Sequence, residues 1–257
     1  MFKSVPIRQI KLEAWPMTMY GKHKLIATDV DGTLTVDRVS HRIYPKVIDA
    51  IEKLTSEGFF VVLVSGNSYP VLNGLAKYLG ANGPTVAENG CIVAWRDKIM
   101  YQCPRTARDI AFLVEREFKE HLIPSWQNIY RLHDYAYIIK DSKNAKKVIR
   151  MIEDFLRSKH LEDFKITYSG YALHILPVEC GKDIGVREAC KILNIPEKEV
   201  IVIGDGINDL ELFNINGLRI AVSNADEEVK RKADIVLEKP SGEGFVELAE
   251  KLLKGLI

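Results

Sequence analysis

The chain has 257 residues, with 36 Lys plus Arg against 35 Asp plus Glu, a formal charge of +1 and 47% hydrophobic residues. That even balance argues against a nucleic-acid or membrane-surface protein, which carries a basic excess or stripe, and the composition is that of a folded globular chain. The longest apolar run, Phe59 to Val64, falls far short of the roughly 20 residues that span a bilayer.

Residues 1–22 read as an N-terminal extension. They carry scattered charges and two prolines but no apolar segment or cleavage site of a secretory signal, and Met17 and Met19 offer alternative translation starts. Regular patterning begins at Lys24. Leu25 to Thr28 is a short buried strand, Tyr44 to Ser56 a helix stopped by Gly58, Phe59 to Val64 a second strand, followed by a helix to about Leu79 and a third strand at Thr85 to Ala87. The segment from Cys91 to Leu176 changes rhythm. Ile92 to Trp95 and Ile99 to Tyr101 read as a hairpin, Thr106 as the cap of a helix through Phe118, Tyr135 to Ile139 as a strand, Asn144 to Arg157 as an amphipathic helix, and Phe164 to Tyr168 with Tyr171 to Leu176 as a second hairpin. A helix opening at Lys182 and strands at Val200 to Ile203, Leu218 to Val222 and Ile235 to Leu237 complete the pattern. The expected architecture is α/β: a parallel-sheet core from 23–90 and 177–257, with a smaller inserted α/β unit at 91–176.

Cys91, Cys103, Cys180 and Cys190 lack metal-site spacing and are too few for a disulfide scaffold, so they are expected as free thiols in a reducing cytoplasm. The basic run Lys143, Lys146, Lys147, Arg150 reads as a solvated helix face.

Chemistry concentrates at strand ends. In Asp29-Val30-Asp31-Gly32-Thr33, directly after a buried strand, side chains two apart point the same way and bring two carboxylates together. Such a pair calls for a cation or a shared proton, and hard oxygen ligands suit Mg²⁺. A second acidic turn, Gly204-Asp205-Gly206-Ile207-Asn208-Asp209, follows another apolar strand. Ser65-Gly66-Asn67 offers a hydroxyl and backbone N–H groups at a helix mouth, a place for a phosphate oxygen. Lys182 opens a helix where the dipole disfavours a cation, which makes sense if it faces an anion.

Together these four motifs resemble those of the haloacid dehalogenase superfamily, over a stretch from about Lys24 to the C-terminus. The resemblance implies an Mg²⁺-dependent phosphatase working through an aspartyl-phosphate. Asp29 would be nucleophile and Asp31 general acid/base; Ser65, Gly66, Asn67, Lys182 and Asn208 would bind substrate; Asp29, Asp31, Asp205 and Asp209 would surround the metal. Asp31 and Ser65 are separated by 33 residues and Ser65 and Lys182 by 116, about 90 more than a helix–strand unit needs. The resemblance implies a Rossmann-like core with the inserted α/β unit as a cap domain, and a cap after the third strand resembles the sugar-phosphatase type.

The phrases Val86-Ala87-Glu88-Asn89-Gly90, Ala172-Leu173-His174-Ile175 and Gly181-Lys182-Asp183 further resemble archaeal phosphoglycolate phosphatases, implying a cytoplasmic enzyme of carbohydrate metabolism. Phosphoglycolate carries a second anion, for which Arg131, His133 and Asn89 are candidates. His174 reads as a satisfied core histidine, and Trp95 and Trp126 as cap packing. A phosphatase for sugar phosphates or other small phosphoesters, and a non-catalytic phosphometabolite-binding module, stay open beside this reading. The expected partner is a small phosphorylated metabolite, not nucleic acid or membrane, and a homodimer is left open.

Overall fold

The structure is a computed structural model that describes residues 23–257, so the expected N-terminal extension lies outside the described residues. β1 (Leu25–Thr28) leads to α1 (Lys46–Ser56), β2 (Phe60–Leu63), α2 (Tyr69–Leu79) and β3 (Thr85–Ala87), and β4 (Ile92–Trp95) with β5 (Lys98–Tyr101) forms a hairpin. Next come α3 (Arg108–Glu117), β6 (Leu122–Pro124), β7 (Tyr135–Ile139), α4 (Ala145–Ser158), β8 (Phe164–Tyr168) and β9 (Ala172–Pro177). The chain then continues through α5 (Lys182–Leu193), β10 (Val200–Gly204), β11 (Leu218–Ala221), α6 (Glu227–Lys232), β12 (Ile235–Val236) and α7 (Ser241–Leu253).

Five parallel strands pair in the order β12-β11-β10-β1-β2, and a parallel bridge between Val64 and Val86 sets β3 beside β2. Every residue of β1 and β10 is buried, the signature of a parallel sheet covered on both faces and the reason these strands are continuous apolar runs. α1 and α7 pack together, with Val47, Ile51 and Leu54 of α1 and Phe245, Leu248 and Leu252 of α7 joining one large core cluster. β1 lies between β2 and β10, so the carboxyl ends of these strands open toward one edge, where α/β sheets place their sites.

A second sheet, ordered β6-β7-β9-β8 and antiparallel throughout, carries α3 and α4 on a separate core of Ala111, Val114, Tyr137, Val148, Ile152 and Leu173. Val148, Ile152 and Leu156, spaced four apart, turn inward, while Lys143, Lys146, Lys147 and Arg150 stay exposed, as the solvated-face reading requires.

Two expectations are corrected. The β4–β5 hairpin, assigned to the insert, pairs through β4 with β3, and its Ile92 and Val93 join the larger core cluster, while the second cluster begins at Ala107. Residue 91 therefore falls inside a three-stranded sheet, not between two packing units. The thiols are not all free either: Cys91 and Cys180 form a disulfide with Cα atoms 4.9 Å apart, whereas Cys103 and Cys190 are free and buried. A separation of 89 residues hid this pairing, because it exists only once the chain has left the core and returned. Alkylation of denatured, unreduced protein followed by intact-mass measurement is expected to count two thiols, and four after reduction.

Candidate active site

The β1 strand ends at Thr28, and the chain turns at once: the N–H groups of Thr33, Leu34 and Thr35 all donate to the Val30 carbonyl, at 3.3, 2.8 and 3.3 Å. Gly32 sits in the turn at φ +91°, and a Cβ there would lie 2.3 Å from an Asp205 carboxylate oxygen. Glycine is thus required both by conformation and by the close approach of the two acidic loops.

Asp29, Asp205 and Asp209 are buried and bring one carboxylate oxygen each into a group spanning no more than 4.8 Å. Lys182, wholly buried at the start of α5, reaches across to Asp29 Oδ1 at 2.7 Å and Asp209 Oδ1 at 2.5 Å. Its backbone N–H donates to Glu211, so the helix entry is held by a carboxylate as well. Asp209 is fixed on its other oxygen by the N–H groups of Asp205 and Gly206, both at 2.9 Å. Asp205 accepts from Thr33 Oγ1 at 2.9 Å and from the Arg38 guanidinium.

Three buried carboxylates around one lysine leave a surplus of negative charge, and protonation equilibria register it. Burial, reinforced by Asp209, pushes the Asp29 carboxyl well above its usual range despite Lys182 beside it. Burial and Asp209 likewise raise Asp205 to about 6. Burial alone would lower Lys182, but Asp209 and Asp29 outweigh it and hold the ammonium charged. A cluster of hard oxygen donors whose charge is unfavourable without further compensation fits a small divalent cation, for which Asp29, Asp205 and Asp209 could supply ligands.

Asp31 is the exception among the expected metal ligands. Its carboxylate accepts from Asn67 Nδ2 at 3.1 Å and pairs with His41 Nδ1 at 2.9 Å, and it is not part of the three-acid group. Asp31 still lines the same cavity as Asp29, with Ser65, Gly66, Asn67, Asp205 and Asn208, so every expected substrate-binding residue other than the fully buried Lys182 reaches it. The cavity has a volume of about 770 Å³.

The cap closes over this cavity through specific contacts. Gln127 donates to Asn67 Oδ1 and accepts from the Ser68 N–H, both at 2.7 Å, while Asn67 donates to Ser65 Oγ at 2.9 Å. Glu88 accepts the N–H groups of Leu132, His133 and Asp134. His41 meets Tyr171 edge-on, with ring centroids 4.8 Å apart.

Of the residues suggested for a second anion, only Arg131 lines the cavity. His133 turns to Cys103 and the Arg105 carbonyl, and Asn89 donates to Asp134. His174 is buried and satisfied as expected, its Nδ1 bonding Asp134 at 2.8 Å, but it lines the cavity as well. Trp126 is 66% exposed at the cavity wall, so it is not cap packing. Arg38, Gln127 and His41 were missed, since nothing in their local sequence marks the residues they meet across the fold.

Residues 26–166 and 138–248 match the haloacid dehalogenase-like hydrolases. The chain is 39% identical over 233 residues to a phosphoglycolate phosphatase of Staphylothermus marinus, covering 90% of this chain and 98% of that one. It is 42% identical to phosphoglycolate phosphatase 1 of Saccharolobus solfataricus, covering 90% and 96%. A crystal structure of a Thermoplasma acidophilum protein superposes with a TM-score of 0.76 at 27% identity, over 90% of this chain and 98% of that one. With the acidic motifs, the core sheet and the relatives in agreement, the chain belongs to the haloacid dehalogenase-like hydrolase family and is a phosphatase.

Proposed function

We propose that the protein hydrolyses 2-phosphoglycolate to glycolate and phosphate, with a divalent cation, Mg²⁺, and an aspartyl-phosphate formed on Asp29. The observation that carries the chemistry is the meeting of Asp29 and Lys182 under a covered cavity, with Asp205 and Asp209 beside them. The substrate rests on the relatives at 39% and 42% identity, which are phosphoglycolate phosphatases.

In this reading Lys182 holds Asp29 Oδ1 and leaves the second oxygen to attack phosphorus in line with the leaving alkoxide. Asp29, Asp205 and Asp209 would hold the cation, whose charge would offset the repulsion that otherwise favours protonated carboxyls and would leave Asp29 anionic. Ser65 Oγ, the Gly66 N–H and Asn208 cradle the transferring phosphoryl oxygens, while the Ser65 N–H donates to the Val86 carbonyl and the Asn67 N–H to Ser65 Oγ. Asp31, oriented by His41 and Asn67 on the cavity wall, protonates the leaving oxygen and then takes a proton from the attacking water. The reaction belongs with cytoplasmic carbohydrate metabolism.

A larger phosphoester is favoured by one observation: the cavity of about 770 Å³, with Val71, Leu75 and Trp126 on its wall, has more room than phosphoglycolate fills. Phosphate release from 2-phosphoglycolate, several sugar phosphates and p-nitrophenyl phosphate separates the two. The reading expects 2-phosphoglycolate to lead in kcat/KM with Mg²⁺, and all release to stop with EDTA. A sugar phosphate in the lead would discard the substrate and keep the chemistry; release undiminished by EDTA would discard the metal.

A further inference from the structure

We infer that Arg131, seated on Asp134 and flanked by His174, is the receptor for a carboxylate on the substrate, which rests on the phosphoglycolate reading above. Arg131 is only 3% exposed, yet its Nε has no hydrogen-bond partner among the described residues while the side chain lines the cavity. Asp134, wholly buried, already accepts from three side chains: Arg131 Nη1 at 3.2 Å, His174 Nδ1 at 2.8 Å and Asn89 Nδ2 at 3.0 Å. One carboxylate therefore serves three donors, and a guanidinium N–H is still left over. Folded proteins rarely bury such a donor without a partner, and a planar guanidinium suits a carboxylate better than any other cation does.

His174 fixes where the receptor lies. With Nδ1 turned to Asp134, its opposite edge lies against the phosphate turn: a Cβ on Gly66 would be 2.9 Å from His174 Cε1 and 3.1 Å from its Nε2. This packing accounts for glycine at 66 and sets the receptor directly beside the Ser65-Gly66-Asn67 turn. A phosphate in that turn and an anion on Arg131 can then belong to one short molecule. Glu88 does not compete for the site, since its carboxylate is occupied by the N–H groups of Leu132, His133 and Asp134. Nor does Asp134 cancel the receptor: it fixes the orientation of Arg131 and His174 from behind and does not line the cavity.

The test compares 2-phosphoglycolate with ethyl phosphate, which has the same spacer but no carboxylate, in the wild-type enzyme with Mg²⁺ and in Arg131→Gln. The ratio of their kcat/KM values is expected to fall about 10- to 100-fold in the variant, the range for losing a hydrogen bond to a charged group. Arg131→Lys, which keeps the charge and loses the fork, should fall between the two, and it serves as the readout should the glutamine variant not fold. A ratio unchanged within about threefold in the variants, with the wild-type preference intact, overturns the receptor and leaves the substrate reading standing. A wild-type enzyme with no preference between the two esters overturns both.

Discussion

Asp29→Asn is expected to lower phosphate release from every phosphomonoester by at least about 10⁴-fold, the scale on which removing a nucleophile acts. The fold should survive the change. In metal-free protein the Asp29 carboxyl is already driven toward its protonated form by burial and by Asp209, so a neutral amide costs little there. The amide carbonyl introduced by the substitution can still accept the Lys182 bond. Melting in EDTA is expected within about 3 °C of wild type, or above it. A variant that keeps more than a few per cent of wild-type turnover, free of contaminating phosphatase, would remove Asp29 from its role. One that melts far below wild type would show instead that the loss is structural.

Lys182→Met has the opposite signature, losing both activity and stability. The ammonium is fully buried and is the shared counter-charge of Asp29 and Asp209. Breaking a buried pair by removing one partner costs about 3–5 kcal/mol, a fall of roughly 10 °C in Tm for a chain of this size. Turnover should drop by about 10²- to 10³-fold, as when a transition-state donor is lost. The pH dependence follows from the direction of the Asp29 shift. A carboxyl raised above its unfolded value binds its proton more tightly in the folded state, so its favourable contribution is present at low pH and lost as pH rises. Without Lys182 that shift grows. The gap in Tm between variant and wild type is therefore expected to narrow toward acid pH and widen toward neutrality, measured by calorimetry in EDTA. A gap independent of pH would mean that lost packing, not lost charge, carries the destabilisation.

The core and its acidic loops were legible in the chain because their causes are local. β1, β2 and β10 are buried on both faces, so each is an apolar run that needs no partner to be recognised. Asp29, Ser65 and Asp205 follow such runs directly, and strand order in an open parallel sheet then brings their ends together. Lys182 stood out for a similar reason, as a cation at a helix start.

What escaped the sequence depends on distance along the chain. The Cys91–Cys180 bond spans 89 residues, and the β4–β5 hairpin carries no local mark of which sheet it will extend. His174 sits in the apolar strand β9, between Leu173 and Ile175, and in sequence that is the pattern of a core position. Strand alternation sends Leu173 and Ile175 into the cap's own core and His174 to the other face, toward Asp134 and the cavity. Asp31 shows the limit of pattern in the other direction. Two residues from Asp29, it lies outside the three-acid group, and its partners His41 and Asn67 come from separate loops.

The central claim is a covalent step on Asp29, and rapid acid quenching tests it most directly. Enzyme with Mg²⁺ is mixed with 2-phosphoglycolate carrying labelled phosphate, quenched on the millisecond scale, digested and mapped. The account predicts a hydroxylamine-labile phosphoryl group on the peptide that contains Asp29, rising before free phosphate appears and absent in Asp29→Asn. Label on another residue, or phosphate released in a single turnover with no labelled protein at any time, would contradict it.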